Sequence, residues 1–161
     1  MEKEFVVVSV EFSVLLSERR VSVGCNARLP EHGTRMLDPV VRLTASCGEE
    51  TVAGWGWTSV SSKEQAKEML GMKVSALISP NKGVSAQGAC VEAALWDLLG
   101  NILKVPVFRL LGATASFASV YFTHLYFSDL HLHSDEEACK LVAEEARAGL
   151  EQGHVAFKMK G

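Results

Sequence analysis

The chain has 161 residues, of which 48% are hydrophobic and 22% are charged, and its formal net charge is -3. This composition is that of an ordinary globular protein and excludes a disordered or a fibrous chain. The small charge, spread along the sequence, argues against nucleic acid and membrane as partners. The four cysteines form no Cys-x-x-Cys pair, and the apolar runs are too short for a signal peptide or a membrane span, so we expect a cytoplasmic protein.

The first third of the sequence predicts an antiparallel sheet. Residues 5–16, rich in Val and Phe, predict a first strand. Residues 40–46 and 51–58 predict two more, joined by a short connection that suits a hairpin. Residues 17–38 are polar with scattered Gly and Pro, which predicts a loop that is either a lid or a floppy tip. A three-stranded meander is the expected assembly.

The middle of the chain predicts two helices. Ser62 and Gln65 are typical of a capping box, which predicts a helix over residues 62–70. Residues 85–103 carry apolar side chains at helical spacing and few charges, which predicts a core helix buried around most of its circumference. Pro106 should end it, because proline cannot donate the next backbone hydrogen bond.

The last third follows a different pattern, strand then helix then strand. Residues 119–127 and 154–160 are strand-like, and residues 134–152 predict a helix that begins with a capping box and ends at Gly153. Such an alternation favours a parallel βαβ unit. The chain should therefore combine an α+β domain with the opening of a parallel β/α array.

Three segments in this order resemble one known family. Residues 91–112 contain Glu-Ala-Ala-Leu-Trp-Asp followed by Pro-Val and Leu-Leu-Gly, and residues 153–161 contain Phe-Lys-Met-Lys-Gly. Residues 41–57 add a strand, a turn and Gly-Trp-Gly. Together they resemble the mandelate racemase/muconate lactonizing family of the enolase superfamily. The chain departs from the family pattern at His154, where an aromatic residue is commoner.

The resemblance implies a two-domain organisation. Residues 1–115 would form an enolase-like α+β capping domain, a three-stranded antiparallel meander plus helices. Residues 116–161 would form the first β-α-β of a truncated (β/α) barrel, whose active site lies at the carboxyl ends of the strands. Glu92 and Asp97 would have structural roles, such as salt bridges to that barrel. A full-length relative would be a homo-oligomer.

Lys158 and Lys160 are the candidate catalytic residues. Side chains two apart on a strand point the same way, and an amine beside another cation loses its proton more easily. The resemblance implies that Lys160 is the base that removes the proton alpha to a substrate carboxylate. Lys158 would tune Lys160 and contact the carboxylate or enolate. By spacing alone, the two lysines could equally end a solvated strand.

The resemblance also implies a substrate class and the residues that meet it. The enzyme would be an acid-sugar dehydratase or a racemase, a lyase or an isomerase that acts on a small carboxylate such as an acid sugar. His124, with Thr123, would reach the substrate from the end of the first barrel strand. The lid over the distal end of the substrate would contain Asn26, Arg28, His32 and Arg35.

Magnesium is the cofactor that the resemblance implies. The family holds Mg²⁺ on its third, fourth and fifth barrel strands, so we expect no metal ligands in this chain and no activity from it alone. His131 and His133 have a spacing that can chelate a metal, although loop histidines are the preferred interpretation. The alternative function is that of an independently folded, non-catalytic α+β binding domain.

Overall fold

The computed structural model describes residues 4–18, 33–58, 67–115, 117–126 and 132–160. The chain divides into two compact units. The first consists of Met1–Leu16 and Leu37–Ser116, and the second of Ser17–Met36 and Phe117–Gly161. The assignment of a capping domain and a barrel domain to these parts of the chain stays a prediction. Among the described residues, no helix has the length and apolarity needed to cross a membrane.

A three-stranded antiparallel sheet lies in the first third of the chain, as predicted. Its strands are β1 (Val6–Glu18), β2 (Arg35–Cys47) and β3 (Glu50–Trp57), in the order β1-β2-β3. The pairing of β2 with β3 runs from Val40 opposite Trp57 to Cys47 opposite Glu50.

The predicted bounds of the loop, residues 17 and 38, are both wrong. Strand β1 continues to Glu18, and β2 begins at Arg35 rather than at Val40. Pro39 does not interrupt β2, because its carbonyl still accepts a hydrogen bond from the backbone N–H of Thr58 at 3.0 Å. A proline is tolerated in a strand where its missing N–H is not required.

Short elements separate this sheet from the main helix of the first unit. They are α1 (Val74–Leu77), β4 (Ile78–Ser79), β5 (Gly83–Val84) and a 3-10 turn (Ala89–Val91), and they are followed by α2 (Glu92–Leu103) and α3 (Val107–Leu110). The sequence predicted none of the short elements. The helix predicted over residues 62–70 lies largely outside the described residues, which resume with Lys67 in helical conformation and a turn over residues 68–71.

Helix α2 begins later than predicted, and it ends before Pro106 is reached. A turn in which the Gly88 N–H donates to the Ser85 carbonyl at 3.1 Å precedes it. At its end Lys104 adopts a left-handed conformation, with φ of 57°, and its N–H bonds to the Gly100 carbonyl. Pro106 comes after this end and immediately precedes α3.

The core of the first unit lies between α2 and the sheet. It is built from Phe5, Val7, Val41, Leu43, Ala45, Met69, Val74, Leu77, Ile78, Val91, Ala94, Leu95, Leu98 and Leu99. The prediction that α2 is buried around most of its circumference is wrong, since Glu92, Ala93 and Asn101 are exposed. The helix packs by one apolar stripe, as a surface helix does.

Two glycines of β3 allow α2 to approach the sheet. A Cβ built on Gly54 would lie 2.3 Å from the backbone N of Leu98, and one on Gly56 would lie 2.3 Å from the backbone N of Ala94. No real Cβ fits at such distances, so the helix backbone rests directly on the strand backbone. This contact is the physical reason for the Gly-x-Gly pattern of β3.

The second unit contains the predicted strand, helix and strand. These are β6 (Phe122–Tyr126), α4 (Asp135–Glu151) and β7 (Phe157–Lys160). The Ser134 side chain caps α4 by accepting from the Glu137 N–H at 3.3 Å. Gly153 follows the helix with φ of 88°, in the left-handed region that ends helices. Strands β6 and β7 pair in parallel.

Candidate active site

The parallel pair β6–β7 places the ends of two strands beside each other. Phe122 pairs with Phe157 at one end, and Tyr126 pairs with Lys160 at the other. An irregularity in the pairing lies between Phe122 and Leu125. Because the strands are parallel, their carboxyl ends share one edge, the edge at which β/α proteins place their sites.

Helix α4 covers one face of this pair. A Cβ built on Gly149 would lie 2.6 Å from Cε1 of Phe157 and 2.9 Å from Cδ1 of Phe122. The two rings also meet edge to face, with centroids 5.8 Å apart. Phe122 and Phe157 therefore both point toward the helix, and a side chain at position 149 would require the two rings to move.

The direction of Phe157 fixes that of Lys158. Successive side chains on a strand alternate, so Lys158 points away from α4. Its side chain is exposed, and its Nζ lies 5.8 Å from the ring centroid of Tyr121. The backbone of Lys160 ends β7. The side chain of Lys160 lies outside the described part of the structure, so its position beside Lys158 stays a prediction.

The other predicted substrate residues are described only in part. Thr123 lies in β6 and is exposed, and the backbone of His124 follows it in the strand. The side chain of His124 falls outside the described part. Of the lid residues, Asn26, Arg28 and His32 also lie outside it, whereas Arg35 is an exposed residue at the start of β2.

No carboxylate cluster that fits Mg²⁺ is found among the residues that the structure describes. Groups of three or more His, Cys, Asp or Glu side chains able to hold a metal ion are absent from those residues. His133 instead lies with its Nδ1 3.3 Å from Oε2 of Glu137, one helical turn further along. His131 lies outside the described residues, so its pairing with His133 stays untested.

Sequence reasoning missed Tyr121 as a partner of Lys158. Tyr121 directly precedes β6, and the residue is 53% exposed. The signal in the sequence was alternation alone: if Phe122 and Phe157 face the helix, then Tyr121 and Lys158 face away from it. Nothing in the spacing indicated that these two side chains would meet.

Comparisons with known proteins give matches among solved structures only. No protein-family model matches the chain, and no curated protein matches it. The structure of galacturonate dehydratase from Geobacillus sp. in complex with D-galacturonate and 5-keto-4-deoxy-D-galacturonate matches with 30% identity and a TM-score of 0.81. That match covers 99% of this chain and 42% of the dehydratase.

Two further structures agree with it. A mandelate racemase/muconate lactonizing protein from Geobacillus sp. Y412MC10, in complex with magnesium and tartrate, is 30% identical with a TM-score of 0.80, over 99% of this chain and 42% of that protein. An enolase from Bradyrhizobium in complex with magnesium and mandelic acid is 18% identical with a TM-score of 0.56, over 100% of this chain and 47% of that protein, a likeness of fold alone.

The chain thus spans less than half the length of the structures that it matches. The match extends through both the antiparallel sheet with its helices and the strand-helix-strand unit, since nearly all of this chain is covered. It includes the two segments whose sequence carries the strongest family resemblance, helix α2 and strand β7. The chain is a structural match to members of the mandelate racemase/muconate lactonizing family of the enolase superfamily, and the extent of the match is consistent with their N-terminal portion.

Proposed function

We propose that the chain is the N-terminal part of a Mg²⁺-dependent enzyme that removes the proton alpha to a carboxylate. The substrate would be a small acid sugar, and the reaction a dehydration or a racemisation. The observation that carries this proposal is the strand β7, which presents Lys158 on the face turned away from α4 and ends at Lys160. The likeness to a dehydratase solved with D-galacturonate supports the substrate class.

Lys160 is proposed as the base. The proton alpha to the carboxylate would pass to its free amine, which leaves an enediolate on the substrate. Lys158, as an ammonium on the same face, would favour the free amine on Lys160 by charge repulsion and would attract the substrate carboxylate. A general base of this kind contributes about a hundredfold to ten-thousandfold to a rate.

The residues that the structure describes do not form a magnesium site. They include no fitting carboxylate cluster, so no step of the reaction is assigned to the metal. In the proposed enzyme the ligands would come from the part of the relatives that this chain does not match. The chain alone should therefore show no turnover. In a proton-exchange assay with added Mg²⁺, the substrate should exchange no faster with the chain than in buffer without protein.

The remaining assignments are part of the same proposal. Thr123 and His124, on β6, would contact the substrate near the lysine pair. Asn26, Arg28, His32 and Arg35 would form the specificity lid. The complete enzyme would be a cytoplasmic homo-oligomer, with neither nucleic acid nor membrane as a partner.

A chimera tests the proposal. Residues 1–161 would replace the matching part of the Geobacillus galacturonate dehydratase, whose remainder supplies its own magnesium site. Exchange of the substrate alpha proton with D₂O, followed by NMR on D-galacturonate, should be measurable, and Lys160→Ala should reduce it at least about a hundredfold. Lys140→Ala is the matched control, because Lys140 is exposed on α4 and forms an ion pair with the exposed Glu136, at 3.1 Å, one turn away.

Two results would speak against the proposal. A folded chimera in which Lys160→Ala and Lys140→Ala exchange equally fast would remove Lys160 from the chemistry. An inactive chimera, together with an isolated chain that is monomeric by light scattering and melts in one sharp transition, would favour the non-catalytic binding domain.

A further inference from the structure

We infer that Tyr121 is a positioning residue for Lys158: its ring holds the ammonium on the face of the β6–β7 pair that is turned away from α4. The catalytic consequence of this contact rests on the proposed function. The contact itself is a property of the second unit and can be tested without turnover.

The geometry comes from both strands. Phe122 and Phe157 are fixed toward α4 by their contact with Gly149. Tyr121 and Lys158 each neighbour one of these two rings, and the Lys158 Nζ lies 5.8 Å from the centroid of the Tyr121 ring. This distance is within the limit of about 6 Å for attraction between a cation and the face of an aromatic ring.

A ring holds a lysine differently from a carboxylate. A carboxylate would neutralise the ammonium, whereas the electron-rich face of a ring stabilises the positive charge and leaves it in place. Among the described residues, no carboxylate lies within ion-pair distance of Lys158. Lys158 is therefore oriented while its charge stays available to a substrate carboxylate and to the amine of Lys160.

The ring also limits the freedom of a long side chain. A lysine has four rotatable bonds and loses much rotamer freedom when it is held in one position. Because Tyr121 is about half exposed, the effect should be that of an exposed site, about two- to fivefold in the population of the ring-bound position of the ammonium.

The test compares Tyr121→Leu, which removes the ring, with Tyr121→Phe, which keeps it. In the chain labelled with ¹³C-lysine, the ε-methylene protons of Lys158, assigned by their loss in Lys158→Arg, should be shifted upfield by the ring current. Tyr121→Phe should keep this shift, and Tyr121→Leu should abolish it. Acylation of Lys158 by an amine reagent at neutral pH, followed by mass spectrometry, should be about two- to fivefold faster in Tyr121→Leu only.

Lys140, which is exposed on α4, is the internal reference: its acylation rate should be the same in all three proteins if the reagent is equally active and the fold is unchanged. An unshifted Lys158 signal in the wild-type chain, or equal acylation of Lys158 in all three proteins, would overturn the inference. Equal changes in the Leu and Phe variants would also overturn it, since they would indicate a merely structural tyrosine. These outcomes are separate from the chimera assay, in which the loss of Lys160 tests the proposed function itself.

Discussion

The carboxylate of Asp97 accepts a hydrogen bond of 2.8 Å from the backbone N–H of Trp55, which is 42 positions away in the sequence. Asn101, one turn further along α2, donates from its Nδ2 to the Ala53 carbonyl at 3.0 Å and also to Asp97 at 3.3 Å. Strand β3 lies at the edge of its sheet, so these side chains form hydrogen bonds with backbone groups that would otherwise have no partner in the sheet. Asp97 thus joins helix to strand by hydrogen bonds, which is a structural role of the kind expected for it.

Removal of the Asp97 carboxylate should destabilise the first unit. Asp97→Ala leaves the Trp55 N–H without its acceptor and should lower the free energy of unfolding by about 1–3 kcal/mol. Urea unfolding followed by tryptophan fluorescence measures it. Glu92→Ala is the control, because Glu92 is exposed and accepts a long bond of 3.4 Å from the Trp96 ring N–H. Equal losses in the two variants would show that Asp97 has no special role.

A methyl group at Gly56 should push α2 off the sheet. The added Cβ would lie 2.3 Å from the Ala94 backbone N and 2.6 Å from the Ala93 carbonyl carbon, and neither backbone atom can move alone. We expect Gly56→Ala to cost about 3 kcal/mol or more in the free energy of unfolding. Thr51→Ala, at an exposed position of the same strand, should cost less than about 1 kcal/mol. A stable Gly56→Ala protein would contradict the direct contact of helix and strand.

The Ser134 cap should stabilise the first turn of α4. Ser134→Ala removes the acceptor of the Glu137 N–H and should cost about 1 kcal/mol, whereas Ser134→Asp should keep the cap. Amide hydrogen exchange in the first turn of α4 reports this effect locally. Exchange in Ser134→Ala no faster than in Ser134→Asp would show that the cap contributes nothing.

The Cys90 thiol should lose its proton at higher pH in the folded chain. Burial raises the pKa of Cys90, and a backbone hydrogen bond opposes this effect by a smaller amount. The rate of alkylation of Cys90, followed against pH by mass spectrometry, should therefore have its midpoint at a higher pH in the folded chain than in the urea-unfolded chain. Equal midpoints would contradict the shift in the pKa of Cys90. Slower access of the reagent would lower the rate without moving the midpoint, so the comparison of midpoints separates the two effects.

The same shift makes folding stability depend on alkaline pH. Above the pKa of the unfolded thiol, the folded chain binds more protons at Cys90 than the unfolded chain, so this contribution to stability is lost as pH rises through the folded pKa. Cys90→Ser, which does not titrate there, should show a shallower fall in the free energy of unfolding over that range. An unchanged slope would assign the fall to other groups.

Local patterns in the sequence predicted the main elements well. The strand-rich first third formed β1, β2 and β3, and the βαβ pattern of the last third formed β6, α4 and β7 within a few residues of the expected bounds. A capping serine and a terminal glycine bounded α4 as predicted. The start of α2 was misjudged, because Val91 reaches the core from the 3-10 turn before Glu92 and not from the helix itself.

The sequence by itself determined the longer strands and helices and the side of each strand on which a residue lies, since both depend on neighbours a few positions apart. The alternation of Lys158 and Lys160 on one strand is of this kind. Only the tertiary structure decided that β3 needs Gly54 and Gly56, that Asp97 serves Trp55, and that Lys158 meets Tyr121. These contacts join residues distant in the chain, and they exist only because packing of α2 and α4 on their strands brings the partners within a few ångströms.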